Sequence, residues 1–193
     1  MSATFNDFVK YCEADLGRPA TTMRRLGKIV RTTPSKRGRG ASNIDARDSV
    51  IGLLAALLPV TESNAATVVH HTSRLPLFFI SSEDRPASLE RARSIGIDVL
   101  TNLGQALAVI IDHLRAPEHR LTESVFVDFY NGGRSAIISF LPDDRGDGFS
   151  LHFARADEQP PLVTTYSRID LRVLRRVADM LGPLPNTLPP PPY

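Results

Sequence analysis

The chain has 193 residues, 42% hydrophobic and 7% aromatic, with a net charge of +2. A globular chain of this size buries roughly 70% of its unfolded surface without disulfide or metal staples. The single cysteine, Cys12, rules out an intrachain disulfide and any multi-cysteine zinc site, and makes a reducing, cytoplasmic setting the expectation.

The first predicted element is an amphipathic helix over residues 3–16, with Phe5, Phe8, Val9, Cys12 and Leu16 recurring at helical spacing and Asn6, Lys10, Glu13 and Asp15 facing outward. The opening MSATFNDFVK has neither the basic start nor the apolar core of a secretory leader. Gly17 ends that helix, Arg18-Pro19-Ala20 makes a corner, and Thr21 or Thr22 caps a second helix over 22–31. Met23, Leu26, Ile29 and Val30 form its apolar side, and Arg24, Arg25, Lys28 and Arg31 fill much of the rest. Pro34 closes it. A glycine-punctuated basic loop, SKRGRGAS, follows over 35–42, then a third helix capped by Asn43 or Asp45 and stopped by Pro59.

Residues 65–71 predict a short helix and 77–80 a short buried strand or turn. A long helix over 88–115 carries Ile95, Val99, Leu103, Leu107, Ile110, Ile111 and Leu114 at every third or fourth position. The most apolar runs, over 50–60 and 99–114, fall short of the ~20 residues of a membrane span, so no membrane partner is expected. After Pro117 the period changes to two. Val125, Val127 and Phe129 alternate with Phe126, Asp128 and Tyr130, and Asn131-Gly132 is a strong hairpin-turn signal. Return strands follow over 134–141, 149–154 and 162–168, with a second turn at DDRGDG, and Asp170 caps a closing helix over 171–181. The sequence therefore predicts an α+β fold. Its expected parts are a three-helix unit (1–60), a helical connector (61–116), an antiparallel meander of three or four strands with a closing helix (117–182), serving partner binding or oligomerisation, and a proline-rich extended tail (183–193).

Charge is distributed unevenly. Arg18, Arg24, Arg25, Lys28, Arg31, Lys36, Arg37 and Arg39 lie within residues 18–40 with no acidic residue among them, so this segment carries +8 and the rest of the chain −6. Such asymmetry points to a polyanionic partner.

The succession of helix, tight corner, basic helix, basic loop and apolar helix resembles helix-turn-helix DNA-binding domains, some of which carry a winged elaboration. The resemblance rests on Phe5, Phe8, Val9 and Leu16 as first-helix core, Gly17 to Ala20 as the turn, and residues 21–31 in the recognition-helix position. It implies that this helix enters the major groove, with Thr21, Thr22, Arg24, Arg25 and Lys28 at base edges. Lys36, Arg37 and Arg39 would hold phosphate or reach a minor groove, and Arg18 and Arg31 count among the DNA-binding cations. The expected partner is double-stranded DNA, with a homo-oligomer on paired half-sites by analogy. The overall order is also similar to that of small DNA-binding proteins of phages and prophages, implying transcriptional control or, alternatively, the DNA-marking role of terminase small subunits. A protein-interaction factor whose basic stripe meets an acidic partner is the reading from another class.

Other constellations are bland. His70-His71 point to different sides of any regular element, and His113, His119 and His152 lack partners at ligand spacing, so no metal is expected. Cys12 sits on an apolar stripe and reads as core. Asp143, Asp144 and Asp147 fit turn chemistry, and the pairs Glu83-Asp84 and Asp157-Glu158 fall in loops. The sequence holds neither a phosphate-binding glycine loop nor a nucleophile elbow, so no catalytic residue, cofactor or small-molecule ligand is expected. The terminal Pro190-Pro191-Pro192-Tyr193 matches the bare pattern of a WW-domain ligand, and a solubilising end is the simpler account.

Overall fold

The computed structural model describes residues 3–30, 44–116, 123–142, 148–155 and 166–184. Arg31, the basic loop with Lys36, Arg37 and Arg39, the DDRGD turn and residues 185–193 of the proline tail lie outside them.

Helix α1 (Phe5–Leu16) opens on a capping box. The Asp7 N–H donates to the Thr4 hydroxyl (3.4 Å), and the Asp7 carboxylate accepts from the Thr4 N–H (3.0 Å) and hydroxyl (2.6 Å). Those bonds hold the Asp7 carboxyl below its usual range. The helix ends at Gly17, whose φ of 64° lets the Arg18 N–H return to the Cys12 carbonyl (3.0 Å).

Helix α2 (Ala20–Val30) begins two residues before its predicted start. Proline suits a helix entrance, where a missing N–H costs nothing, and the Pro19 carbonyl accepts from Met23 (3.0 Å). The two threonines therefore lie inside the first turn instead of capping it. Helix α3 (Ala46–Leu57) is capped by Asp45 through the Asp48 N–H (2.8 Å) and stops at Leu58, before Pro59. Gly27 on α2 lies under the Phe5 ring and Gly52 on α3 under the Phe8 ring, where an added Cβ would overlap the aromatic carbons.

Helix α4 (Ala65–Ser73) and strand β1 (Leu77–Ser81) follow. The segment over 77–80, expected as a short buried strand or turn, is a strand with only Ile80 buried, because β1 forms a sheet edge. The long helix expected over 88–115 is two: α5 (Arg85–Ser94) and α6 (Leu103–Arg115). α5 starts before Ser88, on an Asp84 cap to the Ala87 N–H (3.1 Å) with Pro86 in its first turn. Local hydrogen bonds override the apolar periodicity between the helices. Gly96 takes a φ of 85°, Thr101 closes a turn onto Asp98 (2.9 Å), and Asn102 with Gln105 forms a reciprocal capping box (2.9 and 3.0 Å). α6 is enclosed on nearly all sides, with Gln105 its only fully exposed residue.

Strands β2 (Glu123–Tyr130), β3 (Ser135–Pro142), β4 (Phe149–Phe153) and β5 (Tyr166–Asp170) complete a five-stranded antiparallel sheet in the order β1-β4-β3-β2-β5. The expected meander covers β2, β3 and β4. The last strand crosses over to pair with β2, and β1, read as part of the connector, completes the other edge. Val125, Val127, Phe129, Ile138, Leu151 and Ile169 lie on the buried face. Helix α7 (Leu171–Leu181), capped by Asp170, packs against β2 and β5.

One contiguous cluster of buried residues joins the N-terminal helices to the sheet. α3 packs on α6 and α7, and the β2–β3 turn docks on α4, where the Thr72 hydroxyl donates to the Gly133 carbonyl (2.8 Å). Gly133, at φ 91°, is pressed against Thr72 and Leu58 with no room for a side chain.

Candidate nucleic-acid interface

α2 is sorted cleanly by burial. Met23, Leu26, Gly27 and Val30 face inward, whereas Thr21, Arg24, Arg25, Lys28 and Ile29 are exposed and Thr22 is half-buried. At 100° per residue, Arg24, Lys28, Thr21 and Arg25 fall within an arc of about 100° centred near Lys28 and Thr21. The three described cations of this helix thus share one exposed face. No carboxylate belongs to α2.

Arg18 is directed elsewhere. Its Nε–H donates to the Ala56 carbonyl and its Nη2 to the Leu58 carbonyl (3.3 Å), at the C-terminus of α3. A guanidinium there satisfies carbonyls that have no partner within the helix and complements the negative end of its dipole. Arg18 ties α3 to the corner before α2, and of the six predicted contact residues inside the described region it is the one the fold engages internally. Arg25 meets Glu62 at 3.3 Å, but both side chains are more than half exposed, so solvent screens the pair and leaves the guanidinium accessible.

No family model, curated protein or solved structure matches the chain.

A second cationic face escaped the sequence reading. On α7, Leu174, Val177, Ala178 and Leu181 face inward, and Arg172, Arg175, Arg176 and Asp179 face solvent. The three arginines span about 100° of arc, as on α2. Their surroundings differ. Arg172 bonds the Asp170 carboxylate (2.6 and 2.9 Å), which lowers the Asp170 pKa and raises that of Arg172. The pattern of LRVLRRVADML was available as a signal, but Asp170 and Asp179, which flank these arginines, offset most of their charge in a count of net charge.

Sequence also missed Asp128–Arg168. Cross-strand pairing of β2 and β5 sets these residues opposite each other, and Arg168 grips the buried Asp128 carboxylate through two bonds (2.7 and 2.9 Å) while lying 5.3 Å from the centre of the Phe126 ring. This bidentate lock fixes β5 on β2.

Cys12 is fully buried, and desolvation pushes its thiol up to about 12. Tyr11, half-buried, donates to the Val173 carbonyl (3.4 Å), and desolvation raises its phenol well above the usual range. Among the described residues no three His, Cys, Asp or Glu side chains converge as a metal-binding group. No helix among them is long and apolar enough to cross a membrane.

Proposed function

We propose that this chain is a non-enzymatic DNA-binding protein, acting as a transcriptional regulator, that lays α2 into the major groove of double-stranded DNA. The observation that carries the proposal is the single exposed arc of Thr21, Arg24, Arg25 and Lys28 on a helix anchored by Met23, Leu26 and Val30. A groove-reading helix must be held rigidly by its neighbours and present cations on one side only. α2 is braced by α1, α3 and α4, which meets the first condition. Arginine can pair with guanine in a bidentate fork, lysine neutralises phosphate, and threonine supplies a hydroxyl or a methyl.

The test is a salt-titrated anisotropy measurement on duplex DNA, comparing the chain with an Arg24→Ala/Arg25→Ala/Lys28→Ala variant. The variant is expected to bind about 100-fold more weakly, with the slope of log K against log salt shallower by about 2–3. Unchanged affinity and slope would remove α2 from the interface. Equal weakening on every duplex would reduce its role to phosphate contact.

A further inference from the structure

Six large apolar side chains are exposed among the described residues; two of them, Phe78 and Phe79, lie on the edge strand β1, and two more, Val99 and Leu100, in the turn that precedes the bridge of Asn102 to Pro76. Phe78 (61% exposed) and Phe79 belong to β1, the terminal strand, which pairs with β4 on one side; an antiparallel bridge between Pro76 and Asn102 lies just before the strand. Val99 and Leu100 form the tip of the 98–101 turn that leads into this bridge, beside the start of β1. Leu100 is 91% exposed. The register of β1 shifts between Leu77 and Phe79, and the extra residue, Phe78, is left unpaired with β4. Exposed apolar side chains close together in this way mark a candidate interaction site.

We propose that this edge joins two copies of the chain across a two-fold axis through the middle of β1, with the two strands antiparallel. Charge selects both the occupant and the alignment. Exposed Arg74 precedes the strand, and exposed Glu83 and Asp84 follow it. Exposed Arg155, next to Ala154 whose N–H bonds the Pro76 carbonyl (3.1 Å), adds to the positive end, whereas Arg85 lies 5.8 Å from the centre of the Phe79 ring and Arg93 meets Asp98 at 3.3 Å. An antiparallel two-fold sets Arg74 of each copy against the acidic end of its mate, twice, from one self-complementary patch. A parallel arrangement would oppose like charges, and Glu83 and Asp84 repel a nucleic acid.

The apolar four supply the water-excluding centre of the contact, and Arg74, Glu83 and Asp84 its polar rim. The bulge at Phe78 makes β1 irregular, and the proposed contact is made by the exposed side chains and not by a continued ladder. The interface uses no residue of α2. Its failure leaves the DNA proposal standing, and the reverse holds as well.

Sedimentation velocity of the full chain without DNA, from low to high micromolar concentration, tests the contact. A reversible monomer–dimer equilibrium is expected, weakened at least about tenfold by Leu100→Glu, a site too exposed to disturb the fold. Phe78→Ser, with its circular dichroism matched to the parent chain, is expected to act in the same direction. Arg74→Glu should weaken the dimer, and adding Glu83→Arg should restore it. A monomer at every concentration, a dimer or larger assembly that Leu100→Glu leaves unchanged, or a charge swap that rescues nothing would overturn the proposal.

Discussion

Helices α2 and α7 are built on one plan and differ in what surrounds their cations. Each buries an apolar stripe, and each presents three cations within about a third of a turn. On α2 the arc holds no carboxylate, and its one ion pair among the described residues, Arg25 with Glu62, is reached from another element and largely solvated. On α7 the Asp170 cap grips Arg172, and Asp179 lies among the arginines on the exposed side. Two helices with the same count of positive side chains therefore project different fields. Cation number alone does not make a polyanion site. The field depends on whether acids share the face.

The sharpest way to break this comparison is DNA affinity. Replacing Arg172, Arg175 and Arg176 with alanine is expected to change affinity less than about threefold, against about 100-fold for the α2 triple, in the same anisotropy assay. Equal losses would mean that the duplex meets both helices and that Asp170 and Asp179 do not mask α7.

The next effect is on stability and separates α2 from the corner that precedes it. Arg18→Gln should cost about 2 kcal/mol in urea unfolding, because the carbonyls of Ala56 and Leu58 lose a charged donor. Its DNA affinity at a temperature where both proteins are folded should match the parent. A loss of affinity without loss of stability would return Arg18 to the interface.

The smallest effect concerns the α7 cap. Asp170→Ala should lower stability by about 1 kcal/mol, since the Arg172 and Val173 N–H groups lose their acceptor. The Asp170 pKa is depressed in the folded chain, chiefly by the Arg172 hydrogen bond, from an ordinary value of 3.8. The carboxylate's contribution is therefore fully present above about pH 4 and fades as pH falls through the lowered value. Thermal melts of both proteins from neutral to acid pH should converge at the acid end. A gap that stays constant would mean that the cap works without its charge.

Much of the fold was legible because its signals are local. The Gly17 stop, the Asp45 and Asp170 caps, the Asn131-Gly132 turn and the alternation of Val125, Val127 and Phe129 all act within a few residues. The split between α5 and α6 was missed because Ile95, Val99 and Leu103 keep helical spacing through a segment that Gly96, the Asp98–Thr101 turn and the Asn102 cap turn aside. The proposed α2 site was half legible. Periodicity placed Arg24, Arg25 and Lys28 together, but nothing near Arg18 in sequence reveals that its partners are carbonyls some forty residues away.

The sequence by itself determined where most helices and strands begin and end, which faces are apolar, and where positive charge concentrates. Capping, turn geometry and amphipathic period are short-range physics, and they need no knowledge of the rest of the chain. Only the tertiary structure decided that β5 crosses to β2, that Asp128 meets Arg168, that Arg18 closes α3, and that Asn102 bridges to Pro76 just before β1. Those outcomes depend on strand register and packing between segments far apart in the chain, where a group's environment is set by neighbours that its own stretch of sequence does not contain.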